Sequence, residues 1–149
     1  MTARKLTILL AEDDDGHAAL IRRNLDRTRL QAELVRVRNG QEILDHLAVA
    51  GDKARSQPTL VLLDISMPKV DGIEVLRRLK TDPSTRAIPV YMLTTTDNPL
   101  EIARCFELGC NAYVTKPIAY DAFMEAIQCL CGFLEITQVP GSLPQNVST

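Results

Sequence analysis

Leu6-Thr7-Ile8-Leu9-Leu10-Ala11-Glu12-Asp13-Asp14-Asp15-Gly16 is a nearly continuous apolar run that stops on four acids and a glycine. An apolar run without alternation suits a strand covered on both faces, as in a parallel sheet. The same device recurs at Thr59-Leu60-Val61-Leu62-Leu63, which ends at Asp64. Between the two runs lies an amphipathic pattern over residues 17–29. Ala18, Ile21 and Leu25 share one side there, against Arg22, Arg23, Asp26 and Arg27.

Residues 33–37 mix polar and apolar side chains and predict a strand nearer a sheet edge. Asn39-Gly40 then turns the chain into a helix over 41–49, followed by a polar surface loop over 51–58. Further helices are predicted over 72–80, stopped by Asp82-Pro83, over 99–108, closed by Gly109, and over 120–134. Strands are predicted over 88–93 and 112–115. Five βα units in series predict an α/β fold, a doubly wound five-stranded parallel sheet with helices on both faces.

Of the 149 residues 46% are hydrophobic, enough apolar content to exclude a disordered chain. The formal net charge of −2 offers no basic excess for nucleic acid. The opening apolar run meets acid too soon for a signal peptide or a membrane span, and the spacing of the four cysteines suggests reduced thiols. These features predict a cytoplasmic protein without nucleic-acid or membrane partners. One domain is expected over 1–138 with an extended C-terminal helix, then a flexible tail over 139–149 containing Pro140, Gly141 and Pro144.

In such a sheet the loops after the strands gather at one edge. Glu12, Asp13 and Asp14 follow the first strand, Asp64 the third, Thr94 the fourth and Lys116 the fifth. Neighbouring carboxylates repel unless a cation sits between them, and a hard, oxygen-ligated ion such as Mg²⁺ is the natural occupant. An ammonium and a hydroxyl beside that ion suit phosphoryl transfer, with a carboxylate as nucleophile and an acyl phosphate as product. Plainer roles fit other residues. Asp14 and Asp15 read as helix caps, Asp71-Gly72 as a helix start, and Asp97 and Asp121 as N-caps. His17 and His46 read as exposed helix residues without a zinc site, and Met67, Met92, Cys129 and Cys131 as packing residues.

Together, Ile8-Leu9-Leu10-Ala11-Glu12-Asp13-Asp14, the run from Leu62 through Asp64-Ile65-Ser66-Met67-Pro68-Lys69 to Gly72, Met92-Leu93-Thr94-Thr95 and Tyr113-Val114-Thr115-Lys116-Pro117 resemble the receiver domain of two-component response regulators. The resemblance covers about residues 5–135. It implies a flavodoxin-like sheet in order 2-1-3-4-5 and phosphotransfer from a histidine kinase. Carried over by position, it marks Asp64 as phosphoacceptor, and Glu12, Asp13, Asp64 and the backbone carbonyl of Ser66 as the holders of Mg²⁺, for which Mn²⁺ or Ca²⁺ could substitute. Lys116 and Thr94 would bind phosphate, Thr94 and Tyr113 would form the switch, and a cis peptide before Pro117 would aim Lys116 inward. Such a protein assists its own phosphorylation and dephosphorylation and is not an enzyme acting on outside substrates.

The segment Asp82-Pro83-Ser84-Thr85-Arg86-Ala87-Ile88-Pro89 and the C-terminal Gly132-Phe133-Leu134-Glu135-Ile136 further resemble single-domain regulators of bacterial phytochromes. That implies a phytochrome histidine kinase as partner and a homodimer made through the C-terminal helix. Thr95, often Ala or Gly in the family, is expected to obstruct water and tune dephosphorylation. Two other classes compete. An aspartyl-phosphate phosphohydrolase would want a second Asp where Ser66 stands. A flavin module would want a Gly-, Ser- or Thr-rich loop where residues 12–16 are acidic. About fifteen residues follow the last βα unit, too few for a helix-turn-helix, so output is expected through protein contacts.

Overall fold

The computed structural model describes residues 6–50, 58–67 and 69–136. The elements alternate strictly: β1 (Leu6–Ala11), α1 (Asp15–Asp26), β2 (Ala32–Val37), α2 (Gly40–Ala50), β3 (Thr59–Leu63), α3 (Gly72–Thr81), β4 (Val90–Thr94), α4 (Pro99–Leu108), β5 (Ala112–Thr115) and α5 (Tyr120–Ile136). The strands form one sheet in the order β2-β1-β3-β4-β5, every pairing parallel. The expected doubly wound sheet and its strand order are both observed. The expected loop over 51–57, Pro68 and the tail from residue 137 onward lie outside the described residues.

Strand alternation builds two cores. Ile8, Leu10, Leu60, Leu62 and Leu93 face α1 and α5, meeting Ile21, Phe123, Ile127 and Leu134. Leu9, Ala11, Val61, Leu63 and Met92 face α2, α3 and α4, meeting Ile43, Leu76 and Cys105. β3 is fully buried along its length, as its unbroken apolar run requires. Each Leu, Ile, Val, Phe or Met side chain so buried stabilises the fold by roughly 1.5–3 kcal/mol relative to exposure. β2, at the edge, is mostly half-buried, in line with its mixed composition.

Element ends follow local chemistry. Asp14 caps α1 by accepting from the His17 N–H at 2.9 Å, and Asp71 caps α3 through the Glu74 N–H. α4 is capped by Asn98, not by Asp97. Pro99 occupies its first turn, where a missing N–H costs nothing, so the residue before the proline becomes the cap. Asp121 likewise lies inside the first turn of α5 rather than at its cap. β4 begins two residues later than expected because Pro89 has no N–H and the Ile88 N–H is taken by the Thr85 carbonyl. Gly109 ends α4 at φ 109°, a left-handed conformation suited to glycine.

Candidate functional site

The register sets the site. Ala11 of β1 lies level with Leu63 of β3, so Glu12 and Asp64 leave the sheet side by side, and the Asp64 N–H bonds the Ala11 carbonyl at 3.2 Å. Both continue the alternation that faces α1 and α5. Thr94 of β4 pairs with Thr115 of β5, and the Lys116 N–H bonds the Thr94 carbonyl at 2.7 Å. Lys116 therefore follows Ala112 and Val114 onto the α1/α5 side, while Thr94 and Tyr113 belong to the opposite one.

On the first side, Glu12, Asp13 and Asp64 each bring a carboxylate oxygen within 4.8 Å of the others. Glu12 is 1% exposed and Asp64 7%, whereas Asp13 is open to solvent. The Lys116 ammonium, 3% exposed, bonds a Glu12 carboxylate oxygen and reaches Asp64 Oδ2 at 3.3 Å. Burial pushes the Glu12 carboxyl above its ordinary range, and the hydrogen bond from Lys116 works against that rise. Three crowded carboxylates with one ammonium among them leave an excess of negative charge. Such an all-oxygen set fits a hard divalent cation.

Neighbouring groups hold this arrangement. The Ser66 N–H donates to Asp64 Oδ1 at 3.2 Å and the Asp14 N–H to Glu12 Oε2 at 3.2 Å. Arg36 of β2 donates from Nε to the Glu12 carbonyl and from Nη1 to Asp15, both at 2.8 Å, and so ties the acidic loop to the edge strand. A Cβ built on Gly72 would fall 2.0 Å from the Asp64 carbonyl oxygen, so only glycine lets α3 begin this close to the aspartate. Asp71-Gly72 starts a helix as expected, with this closer constraint added.

On the opposite side the Thr94 hydroxyl, fully buried, accepts from the Thr96 N–H at 3.4 Å. The Tyr113 hydroxyl donates to the Thr96 carbonyl at 2.7 Å, and burial pushes its pKa up to about 12. Tyr113 already packs against the α2/α3/α4 core. Thr95, between the two threonines, is exposed. The structure thus gathers Glu12, Asp13, Asp64 and Lys116 into one cluster and joins Thr94 and Tyr113 through Thr96. Sequence reasoning missed Thr96, because its part is played by backbone atoms.

Further expectations are corrected. The peptide before Pro117 is trans, as are the other described ones. Trans is the ordinary state, and the long Lys116 side chain reaches the carboxylates without the alternative. His17 is not an exposed helix residue: its Nδ1 lies 3.3 Å from Lys116 Nζ and its ring centroid 4.8 Å from that of Phe123. The first turn of α1 points it back into the site, a contact between residues 99 positions apart that no local pattern signals. His46 is likewise half-buried on α2, and Asp15 lies inside α1, paired with Arg36 and Arg38, while Asp14 is the cap. Met92 is core and Cys131 is buried, as expected, but Cys129 is exposed and packs nothing in the core, because positions two apart on a helix point apart; all four cysteines are free.

A model of the response regulator receiver domain matches residues 8–128. The Synechocystis response regulator Rcp1 is 34% identical over 137 residues, 91% of this chain and 93% of Rcp1. Its Mn²⁺-bound crystal structure superposes with a TM-score of 0.82 at 32% identity, covering 90% of this chain and 98% of that one. The phosphorylated cyanobacterial phytochrome response regulator RcpA gives 0.82 at 34% identity, covering 93% and 99%. A receiver domain from Rhodospirillum rubrum gives 0.85 at 41%, covering 91% and 98%. No helix among the described residues is long and apolar enough to cross a membrane.

Proposed function

The chain belongs to the response regulator receiver domain family, and from that premise we propose that it is a phosphorylation-controlled switch in which Asp64 accepts the phosphoryl group. The observation that supports this reading most is the buried Lys116 ammonium set between Glu12 and Asp64, with Asp13 completing a cluster of three carboxylates. An Asp64 carboxylate oxygen attacks phosphorus, the P–N bond of a kinase phosphohistidine breaks, and an acyl phosphate forms. The Glu12, Asp13 and Asp64 carboxylates and the Ser66 carbonyl would hold Mg²⁺, which offsets charge on the transferring oxygens. Lys116 supplies a second positive contact from within the protein. The chain thereby assists its own phosphorylation and dephosphorylation without turning over outside substrates. The phosphohydrolase alternative lacks a proton donor at the exposed Ser66.

Phosphorylation then draws the Thr94 hydroxyl from the Thr96 N–H to the new oxygens. Because Tyr113 holds the carbonyl of the same Thr96, the β4–α4 loop and the α4–β5–α5 surface shift together. RcpA is a cyanobacterial phytochrome response regulator. A phytochrome histidine kinase in the cytoplasm is the partner we infer. A homodimer through α5 fits the same picture. Phe123, Ile127, Leu130 and Leu134 are spent on the core, while Phe133 and Ile136 stay 49% and 75% exposed. Sedimentation showing a lone protomer at micromolar concentration would remove the dimer from this account.

The deciding experiment is labelling by acetyl phosphate or by the kinase, with and without Mg²⁺, on the parent and Asp64→Asn. The parent should label only with the cation, and the variant should not label. Mass spectrometry placing the group on another residue would refute the assignment.

A further inference from the structure

We propose that His17 is a positioning residue for Lys116, holding one proton of the ammonium so that the other two stay directed at the oxygens around Asp64; this rests on the reading of Asp64 as phosphoacceptor. An ammonium carries three N–H donors and no acceptor. Lys116 is buried, so protein atoms must satisfy it. It has three partners: Glu12 Oε1, Asp64 Oδ2 at 3.3 Å and His17 Nδ1 at 3.3 Å. Two of these belong to the carboxylate cluster that a cation and a phosphoryl group would share. His17 is the partner outside that cluster, and so the one whose bond to Lys116 survives when the carboxylates are engaged elsewhere.

His17 suits the task because its own position is fixed. Its backbone N–H is bonded to Asp14 Oδ1 at 2.9 Å, and its ring rests on Phe123 at an interplanar angle of 47°. Lysine only donates, so this bond uses His17 Nδ1 as the acceptor; the same atom lies 3.9 Å from Glu12 Oε2. Without this anchor the ammonium would be free to rotate and to sink toward Glu12. The preorganised charge facing the phosphoryl oxygens would then be lost.

The test compares the parent with His17→Leu, which keeps apolar packing on Phe123, and His17→Asn, whose Oδ1 stands as many bonds from Cα as Nδ1 does. Affinity for beryllium fluoride, a phosphoryl mimic, is measured by ¹⁹F NMR in saturating Mg²⁺. Mg²⁺ affinity is measured separately by calorimetry. Loss of one charge-assisted hydrogen bond predicts about tenfold weaker beryllium fluoride binding by His17→Leu. His17→Asn should stay close to the parent, and all three proteins should bind Mg²⁺ alike. Parent-like binding by His17→Leu, equal weakening of both variants, or Mg²⁺ affinity falling in step with the anion's would each overturn the proposal. An Asp64→Asn protein that binds the mimic as tightly as the parent would instead overturn the reading of the site, and the inference with it.

Discussion

The carboxyl edge of the sheet has two sides built on different physics. On the α1/α5 side Glu12, Asp64 and Lys116 form a buried electrostatic cluster, in which one ammonium meets two carboxylates out of water. On the α2/α3/α4 side Thr94 and Tyr113 are neutral, and their hydroxyls meet on the backbone of Thr96. A single residue step along β5, from Thr115 to Lys116, crosses from one regime to the other. The alternation of a strand thus separates the groups suited to chemistry from the groups suited to movement while keeping them within one sheet spacing.

The largest effect falls at Lys116. Lys116→Met leaves two buried carboxylates without their cation and should destabilise the protein by about 3 kcal/mol, the cost of removing one partner from a buried pair. Because the competing ammonium is gone, Mg²⁺ should restore more of that stability than it adds to the parent. Urea melts with and without the ion check both. On the other side Tyr113→Phe removes one neutral hydrogen bond and should cost about 1 kcal/mol. Its clearer mark is faster amide exchange at Thr96 and Asp97, with Mg²⁺ affinity unchanged.

Thr95→Ala touches stability little, since Thr95 is exposed just after β4. The labelled variant should lose phosphate about threefold faster, a barrier change below 1 kcal/mol; decay as slow as the parent's would dismiss Thr95 as a tuning residue. The smallest effect lies away from both sides. Arg77 foremost, and Arg78 after it, hold the half-buried Glu74 carboxyl down at about 2. A depressed carboxylate contributes above its unfolded value and loses that contribution as pH falls toward 2. Glu74→Gln should therefore lower the melting temperature slightly at pH 7, with the difference fading between about pH 4.5 and pH 2.

What could be read in advance follows the range of each interaction. β1 and β3 announce themselves because burial on both faces leaves an unbroken apolar run ending in acid, and the position of the acid names Glu12, Asp13 and Asp64. The α4 cap lies one residue beyond the acid that suggests it, at Asn98, and Pro99 is the signal that marks it. His17 could not be found this way. Its pattern on α1 is that of any half-polar helix position, and its meaning comes from Lys116 on another strand. Thr96 and Arg36 act through or upon backbone atoms, which no residue type advertises.

The bare edge of Gly72 against the Asp64 carbonyl has a mechanical consequence. There is no clearance there for β3 and α3 to slide past each other, so the main chain beneath the aspartate is clamped. Under the proposed phosphorylation of Asp64, a signal would have to leave sideways, through hydroxyls and loop amides at the ends of β4 and β5. The helix that begins nearest Asp64 would, for that reason, be the one least able to report on it.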